Sequence, residues 1–238
     1  VDATRRELPA RFVVDGDDLR LAVDDAGAVY PLVIDPWIQV AWLTASDLSA
    51  GSFRNLLGSS VAMSADGGIV VAGAPRPLLP NPPSPGAVYV FVRPGAEWPV
   101  SSDATLETAI LTASDGQDGD EFGASVAISG NGDTIVVGAP SKYSGGAAYV
   151  FTGTGSWSQD AILTASDGEY GDLFGDSVAI SADGNTIVVG APANNTGGYN
   201  ASGAVYVFLG VGWPQVAKLE NAPNGGLDGN LLGASVAV

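Results

Sequence analysis

Short apolar runs in this chain alternate with small residues and are interrupted every few positions by glycine, the pattern of strands joined by tight turns. Phe122–Ser129 is the first such piece, with small and apolar residues alternating after the Phe-Gly. Asn131-Gly132-Asp133 follows, and such a dipeptide tolerates positive φ and favours the turns that join antiparallel strands. Thr134–Gly138 is apolar throughout and suits burial on both faces. A glycine-rich loop leads into Ala148-Tyr-Val-Phe151, and a fourth predicted strand ends in Leu163-Thr-Ala-Ser-Asp167.

The same quartet then recurs. Phe174–Pro192 repeats Phe122–Pro140 with few changes, Leu57–Pro75 is a looser copy, and another copy begins at Leu232. Val88-Tyr-Val-Phe91 and Val205-Tyr-Val-Phe208 match the third strand, and Trp98, Trp157 and Trp213 follow in register. Repetition of four antiparallel strands predicts an all-β fold, a β-propeller built from four-stranded antiparallel blades. Three blades are complete, at 57–115, 122–167 and 174–222. Residues 27–56 read as a partial blade, because Gly27-Ala-Val-Tyr30 and Leu43-Thr-Ala-Ser-Asp47 match only the back half of the unit. Residues 231–238 supply the first strand of a further blade. Residues 1–26 read as the end of a preceding β domain or as accessory strands. If the two partial blades meet, they form one composite blade; if not, they leave edges open to another chain.

Composition narrows the function. Twenty-six acidic residues against 9 basic give a net charge of −17, and beyond Pro94 only Lys142 and Lys218 are positive. Such a surface repels nucleic acid and anionic membrane, and suits divalent cations, salt-rich surroundings or basic partners. With no Cys and no His, disulfides, Ser/His/Asp triads and His-ligated metals are excluded. No apolar run approaches the length of a membrane-spanning helix, so membrane insertion is not expected. The chain starts at Val1 without a signal peptide and reads as a processed or excised piece of something longer.

Phe122-Gly123 followed by Gly138-Ala-Pro140, and Phe174-Gly175 followed by Gly190-Ala-Pro192, resemble the FG-GAP repeat. That repeat is the blade unit of integrin alpha-subunit propellers and of many bacterial surface proteins. Leu57-Gly58 with Gly73-Ala-Pro75 departs only at the aromatic, and the resemblance covers roughly 27–238. Tyr30-Pro-Leu-Val-Ile-Asp-Pro36 is also similar to the lead-in of such repeats in large secreted bacterial proteins. The resemblance implies an extracellular or cell-surface, non-enzymatic propeller used for adhesion or surface assembly. Integrin-type blades often carry an Asp-x-Asp-x-Asp-Gly calcium loop between the two motifs. The corresponding turns here, such as Ser129–Asp133 and Ser181–Asn185, hold one carboxylate each, too few for calcium's six to eight oxygens, so that site is not carried over.

The densest acidic cluster lies before Phe-Gly: Asp115, Asp118 and Asp120, echoed by Asp167 and Asp172. These are the candidate metal ligands, with Ca2+ as the ion. The competing readings are turn chemistry and acceptance of backbone N–H groups from the next blade. Tyr89, Tyr149 and Tyr206 could line a carbohydrate-binding face or pack between blades. Asn194-Asn-Thr196 and Asn200-Ala-Ser202 match the glycosylation sequon. Carboxylates that repeat with the blades single out no asymmetric acid–base pair, so an enzyme is not expected. The expected function is a structural or adhesive module whose variable loops, Arg76–Pro85 and Ala193–Ser202, bind protein or glycan at a cell surface. The rivals are a subunit that meets other copies of itself by completing split blades into a filament, and a carbohydrate-binding or carbohydrate-active propeller.

Overall fold

The computed structural model of the chain describes residues 4, 10–15, 18–29, 41–46, 56–75, 85–98, 105–195, 202–220 and 230–238. The chain divides into two compact units, Val1–Val40 and Ala41–Val238. The first contains an antiparallel hairpin of β1 (Ala10–Asp15) and β2 (Asp18–Val23).

The second unit contains three antiparallel four-stranded sheets, and no helix occurs among its described residues. A short element, β3 (Leu43–Thr44), precedes them. Blade 1 is β4 (Ser60–Met63), β5 (Ile69–Ala74), β6 (Ala87–Val92) and, beyond β7 (Thr105–Leu106), β8 (Ala109–Leu111). Blade 2 is β9 (Ser125–Ile128), β10 (Thr134–Ala139), β11 (Ala147–Thr152) and β12 (Ser158–Leu163). Blade 3 is β13 (Ser177–Ile180), β14 (Thr186–Ala191), β15 (Ala204–Leu209) and β16 (Gln215–Glu220). Each blade is a meander in which sequential strands are neighbours. A register shift at Val150/Phe151, and again at Val207/Phe208, kinks each outer strand at the same place.

The hairpin turns carry their own hydrogen bonding. The Ser129 hydroxyl accepts the Thr134 N–H at 3.0 Å and donates to Asn131 Oδ1 at 2.8 Å, which in turn accepts the Asp133 N–H. Ser64 with Asp66 and Ser181 with Asp183 repeat the arrangement. The hydrogen bond from Ser64 and then the Gly68 N–H hold Asp66 below the usual carboxylate range, and Ser181 and then Asn185 do the same for Asp183. These carboxylates serve their own turns.

The core lies between the sheets. One cluster joins Val71, Val88, Val90 and Leu111 of blade 1 to Phe122, Val126, Ile135 and Tyr149 of blade 2. A second joins Val136, Ala148, Val150 and Leu163 of blade 2 to Phe174, Val178, Ile187 and Tyr206 of blade 3. This explains the continuous apolar run of β10, since Ile135 and Val137 meet blade 1 while Val136 meets blade 3. Phe122 packs edge-on to Tyr149 at 5.3 Å, and Phe174 meets Tyr206 at the same distance. A third cluster packs Leu43 and Ala45 against Tyr89 and Phe91.

Of the expected partial blade at 27–56, residues 30–40 and 47–55 lie outside the described residues. Leu43–Thr44 pairs in parallel with Thr105–Leu106. At 231–238, Leu232 makes an isolated parallel bridge to Gly203, the counterpart of Phe122 on Gly86 and Phe174 on Gly146.

Candidate functional site

Two glycines explain why Phe-Gly and Gly-Ala-Pro recur together. Within blade 2 the Gly123 N–H donates to the Gly138 carbonyl at 2.9 Å, and Gly58 to Gly73 and Gly175 to Gly190 repeat the bond. Across the junction, a Cβ on Gly138 would fall 1.9 Å from the Gly175 carbonyl oxygen of blade 3. No side chain fits at that approach. The same carbonyl accepts the Ser125 hydroxyl at 2.7 Å. Ser60 to Gly123 and Ser177 to Gly233 are equivalent bonds, so the last one seats Leu231–Gly233 against blade 3 as a blade would be seated. Hairpin tips are tied as well, Ala65 N–H to Gly130 O and Gly130 N–H to Ala182 O.

The predicted metal ligands are placed at these junctions. Asp115 accepts the Tyr149 hydroxyl at 2.8 Å and pairs with the Lys142 ammonium at 3.1 Å. Lys142 also reaches the Asp115 carbonyl at 3.2 Å and Asp120 at 3.3 Å. Asp120 is buried and accepts the Gln117 N–H, whereas Asp118 is exposed. In the next junction Asp167 accepts the Tyr206 hydroxyl at 2.9 Å and pairs with Lys218 at 2.6 Å. Asp172, also buried, accepts the Glu169 N–H and the Asn194 amide at 2.7 Å. Asn194 stands where blade 2 has Lys142, and Lys218 stands where the other outer strands have isoleucine. No group of three acidic side chains able to hold a metal occurs among the described residues. At the Asp115–Asp120 cluster the lysine ammonium takes the place between oxygens that an ion would need.

These contacts set the electrostatics. Burial opposes ionisation of Asp115, but the hydrogen bonds from Tyr149 and Lys142 outweigh it and hold the carboxyl below its usual range. Burial and the bond to Asp115 push the Tyr149 phenol up to about 12. Tyr206 is driven up by burial and Asp167. For Lys142 and Lys218 burial works against the charge, and the partners override it and raise both. The three strand tyrosines are thus buried packing residues, two of them with hydroxyls engaged by aspartates, and they present no carbohydrate face.

A second repeated contact escaped the sequence reading. Gln159 on the outer strand of blade 2 accepts the Ser114 N–H and donates to the Ser114 hydroxyl, both at 2.9 Å. Gln215 grips Ser166 in the same way. At the first junction Glu107 replaces glutamine: it accepts the Ser46 N–H at 2.8 Å, and the Ser46 hydroxyl donates to its other oxygen. The recurrent Thr-Ala-Ser was the visible half of this clamp.

One feature does not recur among the described residues. Tyr143, from the loop between β10 and β11, and Tyr170, from the turn between β12 and β13, are each 80% exposed, with ring centroids 5.8 Å apart and tilted by 52°. Beside them is a cavity of about 350 Å³ lined by Asp115, Gln117, Asp120, Lys142, Tyr143 and Ser144. Of the predicted binding loops, residues 76–84 and 196–201 lie outside the described residues. Asn194 of the first sequon is buried with its amide on Asp172, which closes it to modification, and Asn200 lies outside the described residues.

The FG-GAP repeat model matches residues 37–91, 105–151 and 157–208, more than half of the chain. No curated protein matches in sequence. Among solved structures the chain is similar to Saccharomyces cerevisiae Sqt1 (TM-score 0.44, 10% identity, 72% of this chain and 38% of that one). It is similar to Kuenenia stuttgartiensis hydrazine synthase (0.46, 12%, 74% and 39%) and to a eukaryotic initiation factor (0.43, 8%, 92% and 44%). The chain spans about two fifths of the length of each.

Proposed function

The chain belongs to the FG-GAP repeat family, and from that premise we propose that it is a non-enzymatic, extracellular structural or adhesive module. One observation carries this reading: the repeated acids, tyrosines, serines and glutamines are engaged in joining blade to blade. Groups committed to such contacts build a rigid frame, and recognition is left to the loops on its rim. Beads coated with the chain should attach to a cell layer or matrix protein more strongly than albumin-coated beads. Equal attachment, or turnover of a glycan panel that disappears when one carboxylate is made an amide, overturns the proposal.

A second reading, assembly through completion of split blades, is favoured by a specific asymmetry of exposure. Val61 and Met63 on β4 are 66% and 61% exposed, whereas the equivalent Val178 and Ile180 on β13 are 9% and 8% exposed. Leu219 on β16 is 54% exposed, against 4% for the equivalent Leu111 and Leu163. The leading flank of blade 1 and the trailing flank of blade 3 thus leave apolar positions open that another copy could cover. Light scattering of the full chain across a concentration series separates the readings: growth into filaments supports assembly, and a constant monomer mass overturns it.

A further inference from the structure

Features shared by all repeats belong to the frame, so a feature confined to one junction calls for another explanation. Tyr143 stands where blade 3 has Asn195, and Tyr170 stands where the preceding turn has Asp118. The backbone beside them departs from the repeat too. Leu56, Glu121, Leu173 and Leu231 share positive φ because each precedes the Phe-Gly junction or its equivalent; Ser144, at φ 92°, lies outside that series. A serine in this region is strained, and Ser144, Gly145 and Gly146 in succession turn Tyr143 out to the surface.

We propose that Tyr143, Tyr170 and the adjoining cavity form a binding site for a pyranose ring of a neutral saccharide. The tyrosines offer two largely open aromatic faces against which the C–H face of a sugar can pack. The cavity offers what sugar hydroxyls need, donors and acceptors together: the Ser144 hydroxyl and Gln117 amide donate, and the free lone pairs of Asp115 and Asp120 accept. Its volume is at the small end of the range of ligand sites.

Other ligand classes fit less well. A cation meets Lys142 already lodged between the two carboxylates, and its contacts to Asp115 Oδ2, the Asp115 carbonyl and Asp120 use all three ammonium protons. An anion meets a protein of net charge −17. A wholly apolar ligand would desolvate the carboxylates without replacing their hydrogen bonds. A neutral, hydroxyl-rich molecule with an apolar face satisfies both walls.

This inference rests on the reading of the chain as a binding scaffold. The test uses the full chain in saturation-transfer NMR with the methyl glycosides of glucose, galactose, mannose, fucose and N-acetylglucosamine, followed by a glycan array. At least one neutral glycoside should receive saturation. Tyr143→Asn and Tyr170→Asp, which install the residues of the sister loops and so keep the fold, should each weaken its binding about tenfold with an unchanged melting temperature. Absence of signal from every glycoside and every array glycan overturns the proposal, as does binding that both substitutions leave intact. A basic peptide that binds at these tyrosines while no sugar does also overturns it. If the sugars fail but coated beads still attach, this site is wrong and the scaffold reading survives; if the beads also fail, the scaffold reading falls with it.

Discussion

Gly138 is where a single methyl group would matter most. Its added carbon would collide with the Gly175 carbonyl, a backbone atom that cannot swing away. Gly138→Ala should therefore cost about 3 kcal/mol in urea unfolding, whereas Gly95→Ala, with nothing within 4 Å, should stay within about 0.5 kcal/mol. The Tyr–Asp–Lys groups make a second residue-scale prediction, in pH. Asp115 and Asp167 have lowered pKa values, so their contribution is present above the ordinary carboxylate value of 3.8 and is lost as pH falls below it. Tyr149 and Tyr206 are raised, so theirs is complete below the ordinary 10.0 and is lost as pH rises beyond it. The urea midpoint should fall below about pH 4 and above about pH 10, and Asp115→Asn should make the acid limb shallower. The acids were legible in the sequence, but Lys142 was not, because it enters from a loop 22 residues beyond Asp120.

At the scale of elements, the meander was readable because alternation, Asn-Gly or Asp-Gly turns and the apolar second strand all agree with it. The clamp was not readable. Its partners lie 45 to 61 residues apart, one copy exchanges glutamine for glutamate, and the outer-strand bulge shifts the spacing. Glu107→Gln should be nearly neutral, because an amide can accept the Ser46 N–H as Gln159 accepts that of Ser114. Gln159→Ala should cost about 1 kcal/mol in the same unfolding assay by leaving the Ser114 N–H without its partner. The Tyr143–Tyr170 pair was invisible for a different reason: a reading built on repetition passes over what occurs once.

Across the whole molecule, the hydrophobic cores lie between sheets, so a blade's contribution depends on having a neighbour on each flank. Leu163→Ser should cost about 3 kcal/mol, whereas Leu219→Ser at the equivalent but exposed position should change stability by about 0.5 kcal/mol or less. Chemical denaturation of the two variants checks the difference. An equal loss from both would mean that Leu219 is covered in solution.

The serine–glycine lock has a direction. Each repeat carries the hydroxyl half on one flank and the carbonyl half on the other. A duplicated copy therefore brings with it both the plug for the unit after it and the socket for the unit before it. Gene duplication can lengthen such an array, and recombination can shorten it, by whole units without inventing a new contact surface. A lineage using this device can vary the number of its modules while the seam between them stays the same.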